Sequence, residues 1–260
     1  MTAVVKRFLF LILLGVACPL LAAAQGPGRL SLGAGTGLDG TSFELAASLG
    51  SHFQVRLGYG TAFGLGYTLR DDNGIYVPQH PALENSPEVS VPVKLSFARN
   101  DARILFNIYP GQRATFHFTF GAYLGSGSFF KGVIKDLPDD YNTLGLEMGD
   151  YTVKAINNQI RAELRAFGLG SPGFAVLPYA GLGFGRPVRP DKAVTFSFDL
   201  GAAYQGEPSL WARSVKSDGS KAYVDVSRND VIDISEVVDE YGKYLNFWPV
   251  INFHLYVRLF

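Results

Sequence analysis

The sequence predicts an all-β fold, a transmembrane antiparallel up-and-down β-barrel of eight strands, and three observations carry this prediction. Apolar residues alternate with small or polar ones in segment after segment, as in Val194–Tyr204 and Thr115–Leu124. A period of two is the period of a strand with one apolar face. The alternating segments follow an export signal, and no later segment holds the roughly 18 consecutive apolar residues of a spanning helix. Strands that are apolar outside and polar inside are typical of membrane barrels.

Residues 1–24 are predicted to be a cleaved signal peptide, which leaves 25–260 as a single barrel domain. Lys6 precedes an apolar stretch at 8–17, which is too short to span a bilayer. Ala22–Ala24 supplies a cleavage site of small residues. The mature chain is therefore expected to begin at Gln25.

Composition limits the remaining possibilities. Cys18, the only cysteine, raises a lipoprotein alternative, but Gly15 and Pro19 around it fit a lipid-attachment site poorly. Lysine plus arginine equals aspartate plus glutamate at 23 each, so no basic field points to nucleic acid. The 30 glycines, 20 phenylalanines and 13 tyrosines suit a narrow barrel, with glycine in the crowded lumen and aromatics facing lipid.

The alternation divides the chain into strands joined by alternately short and long connections. The predicted strands are Leu30–Leu38, Phe43–Leu49, Phe53–Leu69, Val89–Tyr109, Thr115–Gly125, 174–185, 193–204 and Trp248–Leu259. The long connections at 70–88, 126–156 and 205–246 then share one end of the barrel, and both termini lie at the other. A short helix is predicted at 230–245, where apolar residues recur at helical spacing.

Two places leave a ten-stranded barrel open. The apolar parity of Val89–Phe97 is odd and that of Ile104–Ile108 is even, so 98–103 holds either a β-bulge in one long strand or a hairpin turn. The segment 168–173 is likewise either an irregular extension of strand six or a further hairpin. Splitting at both places gives ten strands. The alternation of long and short connections favours eight.

Inward positions of the predicted strands carry charges of both signs. The predicted lumenal network of charged and polar residues is Glu44, Arg56, Lys94, Arg103, His117, Arg161, Glu163, Arg165, Asp199, His254 and Arg258. Side chains just fill the interior of an eight-stranded barrel, and buried charges must be paired. Mixed signs therefore favour a salt-bridged plug, while a pore with charged rings is the alternative.

Motifs for other chemistry are weak. Gly35–Gly40 matches the dinucleotide-binding glycine pattern, but a strand rather than a helix follows it. A lipid-modifying enzyme would need a serine beside a histidine such as His117; Ser197 and Ser90 are candidates, yet nothing places them there. No cluster has metal-ligand spacing. We expect no catalytic, cofactor or metal site.

Several runs together carry a resemblance to a family. These runs are Leu38-Asp39-Gly40-Thr41, Phe106-Asn107-Ile108-Tyr109-Pro110, 178–185, Phe196–Gly201 and Trp248-Pro249-Val250 into the terminal Phe260. The chain resembles uncharacterised small outer-membrane barrel proteins of Gram-negative bacteria, which are similar in outline to the OmpA and OmpW barrels. The resemblance implies an outer-membrane location, contact with lipid and lipopolysaccharide, and assembly by the barrel-insertion machinery. It brings no activity with it.

The function expected from these observations is non-enzymatic. We predict a monomeric envelope protein with a structural or surface-interaction role and a largely plugged lumen. A narrow channel for small polar or amphipathic solutes is the alternative, and a lipid-modifying enzyme is a third.

Overall fold

A computed structural model describes most of the chain after its first 28 residues. The described residues are 29–62, 66–69, 75–77, 89–97, 99–137, 139, 146–148, 151–215, 221–225 and 245–259. The predicted signal peptide and all but the last residue of the predicted helix at 230–245 lie outside them. No helix in these ranges is long and apolar enough to cross a membrane.

Strands make up nearly all of the regular structure in these ranges. In chain order they are β1 (Leu30–Gly37), β2 (Gly40–Ser48), β3 (Phe53–Thr61), β4 (Gly66–Leu69), β5 (Ile75–Val77), β6 (Val89–Val91), β7 (Val93–Phe97), β8 (Asn100–Ile108), β9 (Phe116–Gly125), β10 (Ser128–Ile134), β11 (Leu146–Met148), β12 (Tyr151–Val153), β13 (Ile160–Arg165), β14 (Ala175–Gly185), β15 (Val194–Tyr204), β16 (Ser209–Val215), β17 (Lys221–Asp225) and β18 (Phe247–Arg258).

Eight of these strands close into an antiparallel barrel, which confirms the predicted fold. The order around the barrel is β1, β2, β3, β8, β9, β14, β15 and β18. Closure is made between the first and last strands, from Ser31 opposite Arg258 to Gly37 opposite Asn252. Both ends of the described chain therefore lie at one end of the barrel, called here the terminal end. The opposite end, which holds the long connections, is called the loop end.

The ten-stranded alternative is excluded, because neither 98–103 nor 168–173 adds a strand to the barrel. β7 and β8 belong to different sheets, and so do β13 and β14. The chain therefore passes from one sheet to the other between Phe97 and Asn100 and again between Arg165 and Ala175. Neither interruption joins two barrel strands, although the second contains a tight turn in which Ser171 pairs with Phe174.

Alternation fixes which side chains point inwards. Along β18, for example, Phe253, Leu255 and Val257 are exposed, while Asn252 and His254 between them are buried. The outward positions of the other barrel strands form an apolar belt around the outside. Its exposed members include Leu32, Phe43, Tyr59, Phe118, Phe120, Leu182, Phe184, Phe196 and Leu200.

A second sheet continues from the loop end, and here the sequence prediction is partly wrong. Six strands in the order β17, β16, β13, β10, β7 and β4 form this sheet. The sequence predicts connections at 126–156 and 205–246, yet β10, β16 and β17 lie in them. The predicted third strand, Phe53–Leu69, is divided between the barrel and this second sheet. The period of two could not separate the sheets, because the second sheet also has one apolar and one polar face.

The second sheet has a small core of its own. Val91, Ile160 and Ala212 are buried against Leu137 and Val153, which lie in the connection between β10 and β13. The loop end is thus a packed layer rather than a set of bare turns.

Candidate functional site: the barrel interior

A buried arginine organises the centre of the barrel. The Arg56 guanidinium on β3 makes two hydrogen bonds to the Asp199 carboxylate on β15, with Nη1–Oδ2 2.6 Å and Nη2–Oδ1 3.1 Å. Glu44 on the neighbouring β2 lies 3.7 Å from the same Nη1. All three side chains are at most 3% exposed. Charge-assisted pairs with two parallel bonds are among the strongest polar contacts in proteins.

Glu44 connects this centre to the last strand. The Tyr256 hydroxyl donates to Glu44 Oε2. His254 Nε2 lies 3.4 Å from Glu44 Oε1 and 2.8 Å from Ser42 Oγ. Contacts therefore cross the seam where the barrel closes.

Asp199 connects the centre to the opposite wall. His117 Nε2 lies 3.3 Å from Asp199 Oδ1, and the Thr119 hydroxyl donates to Asn107 Oδ1 at 3.1 Å. Ser197 Oγ is 3.5 Å from Asp199 Oδ2. Together with Arg56 on β3, Asp199 is thus contacted from β3, from β9 and from its own strand β15.

A second cluster of charges lies towards the loop end. Arg103 Nη2 contacts Asp39 Oδ2 at 2.6 Å, and Arg103 Nε contacts Asp101 Oδ1 at 2.9 Å. Asp101 also accepts from Arg99 Nε at 3.2 Å. The Arg103 guanidinium lies 4.9 Å from the centre of the Tyr123 ring, in reach of a cation–π interaction. Two guanidiniums and two carboxylates thus neutralise one another.

Inward glycines make room for these large side chains. A Cβ built on Gly60 would lie 2.1 Å from Arg103 Nη2, and one on Gly183 would lie 2.3 Å from His117 Nε2. A Cβ on Gly35 would lie 2.3 Å from the ring of His254. Rings and guanidiniums therefore occupy the space that side chains at these positions would fill.

Aromatic side chains cover the loop end of the interior. Trp248 and Phe167 pack against an apolar layer that includes Leu105 and Tyr123. The rings of Phe129 and Phe97 lie 5.8 Å and 6.3 Å from the Trp248 ring. Phe97, which continues the outward apolar parity in the sequence, belongs to the second sheet and remains 40% exposed at the edge of this layer.

The turn between β14 and β15 closes the terminal end. Val188 in this turn is buried against Ala46 and Tyr256. Gln54 inside the barrel holds the turn by two contacts, donating to the Val188 carbonyl at 2.7 Å and accepting from its amide at 3.3 Å. The Tyr109 hydroxyl bonds to Gln54 as well. Both mouths of the barrel are therefore filled by side chains.

The structure brings together six of the eleven residues predicted for the lumenal network. Those six are Glu44, Arg56, Arg103, His117, Asp199 and His254. The other five lie elsewhere, which corrects the prediction. Lys94 and Arg161 are exposed on the second sheet, and Glu163 and Arg165 pair with each other there. Arg258 lies at the terminal end, where its guanidinium donates to the Pro190 carbonyl.

Three solved structures of bacterial proteins are similar in fold to this chain. CarO2 and CarO, both of Acinetobacter baumannii, are 13% and 16% identical to it, with TM-scores of 0.47 and 0.46. Each match covers 90% of this chain, and 100% and 99% of theirs. A major outer membrane protein from Thermus thermophilus is 16% identical with a TM-score of 0.45, over 89% of this chain and 98% of that one.

Sequence comparisons add no family. No protein-family model matches the chain, and no curated protein matches it either. The resemblance to OmpA and OmpW barrels therefore stays a prediction.

Several members of the interior network are not predicted by the sequence. Asp39 stands in the tight turn between β1 and β2, and a turn aspartate is ordinarily explained by turn chemistry. Arg99 and Asp101 fall in the segment where the apolar parity changes. Tyr109 is the last residue of a predicted strand, directly before Pro110 and Gly111. The odd parity of Arg103 could have identified Asp101, because residues two apart on a strand share a face.

The arrangement does not resemble a hydrolytic triad. Ser42 and Glu44 both approach the same nitrogen of His254, whereas a triad uses the two ring nitrogens separately. The Ser42 side chain is also buried, at 1% exposed. Within the described ranges no group of three or more histidine, cysteine, aspartate or glutamate side chains could hold a metal ion.

The Glu163 pair on the second sheet should respond to pH. Burial raises the pKa of Glu163, but hydrogen bonds from Arg165, with its charge and that of Lys131, outweigh this and hold the pKa below its ordinary 4.5. The carboxylate therefore stabilises the sheet above pH 4.5 and loses this effect as pH falls through the lower, folded-state pKa. Glu163 is buried while Arg165 and Lys131 keep contact with solvent, so we expect the pair to contribute about 1 kcal/mol.

Hydrogen exchange followed by mass spectrometry checks this prediction. After correction for intrinsic rates, amides of β13 should lose up to about five-fold in protection below pH 4.5. In Glu163→Gln, the amides of β13 should be less protected than in the wild type at pH 7, and lowering the pH should cause no further loss of protection at this site. A loss of equal size in both proteins would contradict the assignment.

Proposed function

We propose that this protein is a monomeric outer-membrane barrel of a Gram-negative bacterium, with a closed lumen and a non-enzymatic structural or surface-interaction role. The apolar belt supports the membrane placement. Large exposed side chains such as Phe43, Phe196 and Leu255 surround the barrel, at 60%, 60% and 63% exposed. A belt of this kind is stable when lipid covers it, and soluble monomers rarely expose so large an apolar surface.

The arginine-centred interior is the observation that carries the closed lumen. Arg56 crosses the barrel to Asp199 on β15, Arg103 reaches Asp39 in the turn between β1 and β2, and each arginine is 1% exposed. A selectivity ring of one sign would leave charges free to meet a passing ion. Here the guanidiniums are held by Asp199, Asp39 and Asp101, so a solute would have to break buried ion pairs to pass.

The surface role follows from the loop end. The second sheet extends the barrel strands outwards and presents polar side chains on a packed support. Lys94 and Arg161 on it are exposed. Exposed polar side chains on a packed support favour contact with other molecules at a surface. The proposed partners are the outer-membrane lipids and lipopolysaccharide, with the barrel-insertion machinery acting during assembly.

Electrical recording in planar bilayers tests the closed lumen. Refolded 25–260, shown to be folded by heat-modifiable gel mobility, should give no steady openings, while a general porin in the same bilayer conducts. Ion-selective openings that change with Arg56→Ala would contradict the proposal and make the lumenal charges a filter.

A further inference from the structure

A cleft of about 290 Å³ opens at the terminal end beside the turn between β14 and β15. Three cationic side chains line it: Arg186, Arg189 and Lys192. Apolar side chains of the outward belt, Phe184 and Phe196 among them, line it as well. The cleft therefore joins positive charge to the apolar surface of the barrel.

Arg186 is held rigidly in this cleft. Its Nε donates to the Ala114 carbonyl at 2.8 Å, and its Nη2 donates to the carbonyls of Ser51 and Gly111 at 2.9 Å and 3.0 Å. The guanidinium lies 4.0 Å from the centre of the Tyr109 ring. Its position is thus set by two other turns of the terminal end.

The same guanidinium lacks a counter-ion among the described residues. All of its hydrogen bonds there go to backbone carbonyls, and none involves Nη1. Burial, together with the like charge of Arg189, lowers the pKa of Arg186, as expected for a cation without a carboxylate partner. The one carboxylate in the turn, Asp191, is engaged by Arg189 at 2.7 Å. The cleft keeps a net positive charge.

We propose that this cleft binds one anionic phospholipid, with its phosphate against Arg186, Arg189 and Lys192 and an acyl chain along Phe184, Val194 and Phe196. The proposal rests on the membrane placement under Proposed function. Membrane barrels turn their short connections to the periplasm, so that placement puts the terminal end in the inner leaflet of the outer membrane, which is phospholipid. A free phosphate would match the cations but not the apolar wall. An uncharged lipid would match the wall but not the cations.

Native mass spectrometry of the refolded 25–260 protein tests the site, with phosphatidylglycerol and phosphatidylcholine as the probes. The wild type should retain phosphatidylglycerol preferentially. The double variant Arg189→Gln/Lys192→Gln should lose about five-fold of this preference for each cation removed. Arg186→Gln is not the first choice because Arg186 also joins the turns.

A matched control removes the same charge elsewhere. Arg113→Gln/Lys154→Gln, at two exposed cations outside the cleft, should keep the wild-type preference. Equal retention of the two lipids by folded wild type, or equal losses in the two double variants, would overturn the site. Displacement of the lipid by millimolar inorganic phosphate would reduce the cleft to an anion site and overturn its lipid assignment.

The test also separates this site from the proposed function. Insertion into liposomes is followed independently by protection of the barrel from added protease. A barrel that inserts but shows no lipid preference overturns the lipid site alone. A barrel that folds in detergent and fails to insert overturns the membrane placement and the lipid site with it.

Discussion

Replacing Arg56 with alanine is expected to lower the free energy of unfolding by about 3–5 kcal/mol, the usual cost of breaking a buried ion pair by removing one partner. Asp199 would lose two hydrogen bonds, and Glu44 would lose a neighbouring positive charge. Both carboxylates would remain where water cannot reach them. Urea unfolding of the refolded protein in detergent or short-chain lipid measures the change.

Lys94→Ala is the matched control for this experiment, since Lys94 is an exposed cation on the second sheet and its loss should change stability by less than about 0.5 kcal/mol. A double-mutant cycle with Asp199→Ala should show strong coupling to Arg56, because each single change already breaks the same pair. An Arg56→Ala protein as stable as the control would contradict the central role given to this arginine.

Adding a single methyl group inside the barrel should also destabilise it, by about 1–3 kcal/mol, the range for overpacking. At Gly35 a Cβ would meet the His254 ring and the Phe253 carbonyl oxygen, both at 2.3 Å. The backbone oxygen cannot move without disturbing the pairing of β1 with β18. Gly35→Ala should therefore lower the urea midpoint and weaken the contact of His254 with Ser42.

The neighbouring position, Ala34, provides a control that is expected to leave stability nearly unchanged. Ala34 on the same strand faces outwards and is exposed. Ala34→Val adds two methyl groups on the apolar belt and should leave stability within about 0.5 kcal/mol. If Gly35→Ala changed the free energy of unfolding as little as Ala34→Val, the close packing inferred between β1 and β18 would be contradicted.

The barrel could be predicted from the sequence because lipid and lumen impose opposite demands on alternate residues. Phe253 and Leu255 face outwards, while their chain neighbours Asn252 and His254 face inwards. The alternation of apolar and polar residues along the sequence shows this contrast directly. The second sheet could not be separated in the same way. Its strands also alternate, so the parity of Lys94 and Arg161 indicates a lumenal position although they lie beyond the barrel.

The partners inside the barrel could not be predicted at all. Parity places Arg56 and Asp199 in the interior, but their pairing depends on which strands face each other across the lumen. Those two residues are 143 positions apart in the chain. The ion pair of Asp39 could not be predicted for a different reason, since a tight turn explains an aspartate at this position without any ion pair. The closure of the terminal end by Val188 left no sequence signal, because a valine in a short turn is common.

The long separations within the interior network bear on how the barrel is assembled. Glu44 and Tyr256 are 212 residues apart, as are Ser42 and His254. A hairpin that forms alone, such as β14 with β15, therefore carries Asp199 without Arg56, and taking an unpaired charge into hydrocarbon would cost several kcal/mol. Asp199 meets Arg56 only when β15 and β3 face each other across the closed barrel. Sheet closure and entry into the bilayer are thus expected to proceed together as one cooperative event, with half-formed barrels kept in the aqueous phase by their unpaired charges.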